Sequence, residues 1–254
     1  MKFIYILIFI SLLSAISAEL KISNIIDNKS ASANINHIVD RSIPLISRFI
    51  VDNGLDPLDL PQTEKKLWMK LPYNSKHDKK LKLHKANLVL HSGILKHLSD
   101  LKRYGDATMD YKDKILQLYI GFEFKFLEVI YDYILKMLFF RSEGRILALT
   151  ENVRAKFSVT FSIKNASICL NKFDLQVPSA IKVTIKNKNG KVSWIKTTIV
   201  KFIIPFVKDT LVNVIQKEGT KMIQKYLNEI NNLFKNHDFT NNEIIDQYSQ
   251  ILIS

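Results

Sequence analysis

Residues 205–234 read PFVKDTLVNVIQKEGTKMIQKYLNEINNLF, and this stretch decides the fold. Phe206, Val207, Thr210, Leu211, Val214, Ile215, Met222, Ile223, Tyr226, Leu227 and Ile230 recur at intervals of three and four, which predicts a helix over 206–234. Pro205 stands just before them, where a proline is tolerated as a helix begins. At 1.5 Å per residue the helix is about 43 Å long. Its apolar positions are too broadly spread for one line of contact, so it should meet protein on more than one side. The strands upstream are the material available to cover it.

Those strands show as period-two alternation. Val153, Ala155, Phe157, Val159, Phe161 and Ile163 alternate with Arg154, Lys156, Ser158, Thr160 and Ser162, the pattern of an antiparallel strand with one buried face. Leu116, Leu118, Ile120, Phe122 and Phe124 make another such run. The phase flips at Phe126–Leu127, which suggests a turn or bulge, and Val129, Tyr131, Tyr133 and Leu135 continue it. Phe173, Leu175 and Val177 end a further strand. Cys169 shares their parity and reads as a buried thiol. Ile181, Val183 and Ile185 lead into Asn189-Gly190, a hairpin signal, with Val192 and Trp194 on the returning strand. Upstream, residues 19–33 read as a frayed lead-in. Residues 34–53 read as a helix interrupted by Pro44 and closed by Gly54, and Leu55–Pro61 as an extended turn.

The chain ends divide differently. Met1-Lys2, the apolar run Phe3–Leu13 and the small residues to Ala18 predict a secretory signal peptide over 1–18, cut near Ala18/Glu19. The apolar run is shorter than the roughly 20 residues that a membrane-spanning helix needs. A single domain is expected over 19–235, with 236–254 a mobile tail. Export would expose two glycosylation sequons, at Asn28 and Asn165.

Composition excludes several classes. With 47% hydrophobic residues in 254 and one cysteine, the chain is neither disordered nor a disulfide scaffold, and it cannot form a Cys-cluster zinc site. There is no G-x-S-x-G elbow, P-loop or G-x-G-x-x-G, and His37, His77, His84, His91, His97 and His237 form no HExxH. They read as surface residues. No catalytic residue, metal or cofactor is expected. The formal net charge is +13, carried by 31 lysines against 6 arginines. Nucleic-acid readers lean on arginine for bidentate contacts, so a nucleic-acid partner is not expected. Two basic segments stand out: 65–85, including Lys79, Lys80 and Lys82, and 182–208, including Lys182, Lys186 and Lys188. They are either a solvated face or an attraction for anionic lipid headgroups.

Three pieces, in this order, carry a family resemblance: Asp56-Pro57-Leu58-Asp59-Leu60-Pro61; Gly93-Ile94 through Lys102-Arg103-Tyr104-Gly105-Asp106-Ala107; and Ile204-Pro205-Phe206 leading into Leu211, Val214, Ile215 and Leu227. Over about 33–232 the chain resembles the mite group 7 allergens. These belong to the tubular lipid-binding superfamily of bactericidal/permeability-increasing protein and the takeout/juvenile-hormone-binding carriers. The carriers' N-terminal disulfide cannot form with Cys169 alone, which favours the group 7 branch. The resemblance implies an α+β fold in which a curved antiparallel β-sheet wraps around a long C-terminal amphipathic helix, with an N-terminal helix and an elongated apolar groove.

The expectation is therefore a secreted, monomeric, non-catalytic binder of a lipid or other hydrophobic molecule. Leu118, Ile120, Phe122, Phe124, Phe157, Val159 and Phe161 from the strands, with Phe206, Leu211, Val214 and Ile215 from the helix, are the candidate lining, although each could be plain core. The alternative is an innate-defence protein that adheres to anionic membrane surfaces through its lysines. A third reading is a groove filled by its own side chains.

Overall fold

The computed structural model describes residues 30–70, 83–138, 140–178, 180–188 and 193–236. The signal-peptide reading, Asn28, Lys79, Lys80, Lys82, Asn189-Gly190, Val192 and the tail beyond 236 lie outside the described residues.

Ten strands form one antiparallel sheet: β1 (Ala31–Asn34), β2 (Leu58–Leu60), β3 (Thr63–Lys70), β4 (Leu83–Lys96), β5 (Leu101–Arg103), β6 (Thr108–Lys112), β7 (Ile115–Met137), β8 (Phe140–Ser162), β9 (Ser167–Gln176) and β10 (Ile181–Asn187). Two helices, α1 (Asn36–Asp52) and α2 (Ser193–Asn236), complete the described chain. The spine is the ribbon of β7 and β8, each of 23 residues and paired along the whole length. At roughly 3.3 Å per residue it spans about 75 Å. On one half of the ribbon β4 and β10 flank it, with β2 and β3 outside β4. On the other half β5, β6 and β9 flank it, with β1 outside β6.

The phase flip between Phe124 and Leu127 is neither a turn nor a bulge. The register is the same on both sides, from Phe124↔Val153 to Phe126↔Glu151, with Lys125 and Asn152 unpaired between them, yet the buried positions change from even to odd on β7 and from odd to even on β8. Asn152, at φ 58°, makes the change, in a left-handed conformation that asparagine tolerates better than most residues. Both strands slip together, so the same face of the ribbon stays apolar. Residues 31–33, expected to fray, instead form β1 together with Asn34, on the edge of β6.

The C-terminal helix begins at Ser193, so Pro205 lies inside it and Trp194 is helical rather than on a strand. Proline removes one backbone donor but leaves the flanking apolar sequence free to pack. The breadth of apolar positions also has a different cause from the one expected. Ile199, Ile203, Val207, Leu211, Ile215, Gly219, Ile223, Leu227 and Asn231 follow one another at intervals of four and make the contacts with the sheet. Four residues overshoot a 3.6-residue turn by about 40°, so this stripe winds around the helix as it crosses the twisted sheet. Contact centres on this moving line and is flanked by Phe206, Gln216 and Ile230. Lys201, Pro205, Asp209, Asn213 and Lys217 on the outer side are exposed, so the sheet cradles the helix without enclosing it.

Cys169 is exposed, against the expectation of a buried thiol. Register shifts between Ser158 and Val159, where Asn171 is the extra residue on β9. A bulge of this kind reverses the phase of everything before it. Ile168 is buried in place of Cys169, while Phe173 and Leu175 stay inward.

Candidate functional site

The family-like stretches near the N-terminus act as braces. The Asp56 carboxylate accepts hydrogen bonds from the His97 and Ser99 amides, both at 2.9 Å, and from the Ser99 hydroxyl. Arg103 grips Asp40 of α1 at 2.8 and 3.1 Å. Asn36, in the first turn of α1, accepts from the Ala107 amide at 2.7 Å and donates to Asp106 at 2.9 Å. These contacts hold α1 over the half of the ribbon that runs from Ile115 to Phe124.

There α1 buries Ile35, Ile38 and Val39 against Ala107, Met109, Leu116 and Leu118. α2 lies on the other flank along β9. Gln216 Nε2 donates to the Phe173 carbonyl at 2.9 Å, and the Asn231 amide group exchanges two bonds with the Ile168 backbone at 2.7 and 2.8 Å. The helices touch where Tyr226 meets Phe49 edge-on at 4.9 Å and donates to Asn53 Oδ1 at 2.9 Å. Between them the sheet presents Ile120, Phe122, Phe157, Val159 and Phe161, inward-facing yet only half-buried. Phe157 stacks on Phe173 at 4.5 Å and meets Phe122 edge-on at 5.7 Å. A side chain at Gly219 would put its Cβ 2.6 Å from Phe173 Cε1, so this glycine lets the helix approach the stack.

A groove of about 530 Å³ opens between β3 and α2, lined by Thr63, Lys65, Lys201, Phe202, Pro205, Phe206, Asp209, Thr210 and Asn213. A second hollow of about 350 Å³ continues along α2 and shares Asn213 with it. Phe202 stacks on Phe206 at 5.8 Å, and Phe206 meets Tyr131 edge-on at 5.7 Å. Tyr131 donates to the Pro61 carbonyl at 3.1 Å, and burial pushes its phenol up to about 12. That hydroxyl stays protonated and acts as a brace.

The structure sorts the sequence-based lining. Leu118, Phe124, Leu211 and Ile215 are buried among protein side chains. Ile120, Phe122, Phe157, Val159, Phe161, Phe206 and Val214 are half-buried and face the concave side or the groove. Phe202 and Pro205 escaped the sequence reading because the helix was expected to start after them. The unbroken four-residue spacing back to Ile199 is the signal that carries it through the proline. Asn165 is exposed in the turn between β8 and β9, Lys182 and Lys186 are exposed on β10, and Lys188 is exposed just after it. Among the described residues no cluster of His, Cys, Asp or Glu forms a metal-ligand set, and no helix is long and apolar enough to cross a membrane.

A sequence profile of the group 7 allergens matches residues 34–227. The chain belongs to the group 7 allergen family. No curated protein sequence matches it. Among solved structures, this group 7 allergen chain is similar to lipopolysaccharide binding protein, with a TM-score of 0.49 and 12% identity over 81% of this chain and 41% of that one. It thus spans less than half of that protein's length. It is also similar to Takeout 1 of Epiphyas postvittana, with a TM-score of 0.35 and 13% identity over 80% of this chain and 89% of that one. The family match stops at Leu227, so Ile230 and the Asn231 clasp on β9 lie outside it.

Proposed function

We propose that this group 7 allergen family member is a secreted, monomeric, non-catalytic binder of a hydrophobic molecule carrying an acyl chain. The observation that carries this reading is the band of half-buried Ile120, Phe122, Phe157, Val159 and Phe161 on the concave face, left accessible between two helices. Burying an acyl chain against such a band gains about 0.8 kcal/mol per CH₂. A dozen carbons therefore suffice for micromolar affinity after association costs. Secretion rests on the sequence of residues 1–18, and use of Asn165 as a glycan acceptor is compatible with its exposed turn.

The test is uptake of a fluorescent fatty-acid analogue by the secreted protein, together with native mass spectrometry of the freshly purified form. Val214 is half-buried and packs at the edge of the core, so Val214→Trp should narrow the site. Uptake should fall at least tenfold, about 1.4 kcal/mol, with a melting curve that stays cooperative. Absence of any co-purified lipid together with no uptake by the wild type would refute this reading in favour of a filled interior.

A further inference from the structure

The fold gathers features at the β7–β8 hairpin tip that are scattered in the sequence. Across β3, β4, β7 and β8 one register row reads Lys66, Asn87, Lys136 and Arg141. One step nearer the tip, Trp68 pairs with Lys85, and Leu138 stands at the turn. One step away from it, the Lys188 amide donates to the Glu143 carbonyl and brings that lysine alongside. Ala86, Leu135 and Met137, the neighbours of opposite parity, are buried. Alternation therefore sends Lys66, Trp68, Lys85, Lys136 and Arg141 to the convex face together. Lys66, Trp68 and Lys85 of one basic segment and Lys188 of the other, about a hundred positions apart, meet here.

Two facts set this face apart from an ordinary solvated surface. First, Lys136 and Arg141 oppose each other directly across two strands, a like-charge pairing that weakens a sheet, and among the described residues only Arg141 of the two has an acidic partner, Glu143. Second, Leu138 at 71% and Trp68 at 59% are the two most exposed large hydrophobic residues of the described chain, and both lie at this end. Leu138 sits at φ 46°, in the turn that closes the ribbon. Lys85 Nζ lies 5.3 Å from the centre of the Trp68 ring.

We propose that this convex tip docks onto an anionic lipid bilayer, with Lys66, Lys85, Lys136 and Lys188 drawn to the headgroups and Leu138 and Trp68 entering the interface. Lysines near such a surface each add to partitioning, and tryptophan favours the boundary between water and acyl chains. A protein partner needs a packed patch of about 800 Å². Two protruding apolar side chains in a ring of cations offer points of insertion instead. The proposal concerns the convex face and does not depend on the concave one holding a ligand.

The test is co-sedimentation of the mature protein with vesicles of phosphatidylcholine alone and of phosphatidylcholine with one-third phosphatidylserine, at low and high salt. Binding should require phosphatidylserine and fall at high salt. The triple variant Lys66→Glu, Lys136→Glu, Lys188→Glu should lose about a hundredfold or more in partitioning. Leu138→Asp alone should lose about tenfold. A matched triple at the opposite end, Lys112→Glu, Lys114→Glu, Lys164→Glu, should change partitioning less than threefold. In a Trp194→Phe background, Trp68 emission should shift to the blue on anionic vesicles. Equal losses from both triples would overturn the proposal, as would no binding at low salt. Retention by a soluble polyanion with no Trp68 shift on vesicles would overturn it as well, and would point to a polyanion site. The substituted lysines and Leu138 are exposed, so melting curves near the wild type's identify losses that are not unfolding.

Discussion

From Leu127 to Met137 every inward side chain of β7 is almost inaccessible, whereas between Leu116 and Phe124 the inward row includes half-buried Ile120 and Phe122. The two halves belong to the same strands and are equally apolar. They differ in what lies over them. On the first half α2 descends with Ile199, Ile203 and Val207 into Leu- and Ile-rich positions of β4, β8 and β10. On the second half its stripe has wound toward β9, and the centre of the sheet is left between α2 and α1. A helix that contacts a long curved sheet along a four-residue stripe cannot cover its whole width everywhere. Where it moves aside, an apolar surface is left for something else.

This contrast should show first in stability. Leu135→Ala, at a fully buried site of the closed half, should cost about 3 kcal/mol or more. Val159→Ala in the open half should cost about 1 kcal/mol or less, because its side chain already meets solvent. Equal shifts of the urea midpoint would show that the halves are packed alike.

The convex side of the open half carries Glu123, buried between Arg154 at 2.9 Å and Lys102 at 3.0 Å, with Arg154 over the Tyr104 ring at 4.1 Å. The Arg154 and Lys102 hydrogen bonds hold this carboxyl below its ordinary value. A carboxyl depressed in this way adds stability that is complete above its unfolded pKa of about 4.3 and is lost as pH falls through the folded value. Glu123→Gln should therefore cost about 1–2 kcal/mol at neutral pH. The gap to the wild type should close below about pH 4, as followed by denaturant titration across pH. A gap that is constant with pH would mean that packing, not charge, is lost.

In the closed half the opposite sign is expected. Among the described residues the hydroxyls of Tyr133, Ser142 and Thr150 are buried there without a hydrogen-bond partner. Replacing an unpaired buried hydroxyl by an apolar group of the same shape removes a desolvation cost. Thr150→Val should raise stability by about 1 kcal/mol, measured as a higher thermal midpoint. A fall would reveal a bond to this hydroxyl in solution. The smallest effect is expected at Cys169, where Cys169→Ala on the exposed side of β9 should stay within about 0.5 kcal/mol.

Much of this fold was legible because one-face burial writes period two into strands and helical packing writes periods of three and four. The runs 116–124 and 153–162 pair with each other as their alternation requires, and Gly54, at φ 67°, closes α1 where a left-handed residue was expected. The failures share a cause. Cys169 was misread because a bulge in the partner-facing register inverts parity without leaving a mark on composition. Pro205 reads as a boundary by a local rule, whereas long-range packing on both sides holds the helix through it. The site residues were legible only as apolar, since Leu118 and Ile120 look the same in sequence.

The sequence by itself determined which faces are apolar, that a long helix must lie on antiparallel strands, and that no recognised catalytic motif is encoded. Side-chain chemistry and its period are local properties, so they can be read without coordinates. Only the tertiary structure decided which apolar residues remain accessible and which lysines stand together. Both depend on where α2 lies across the sheet, and that path is set by contacts between residues far apart in the chain.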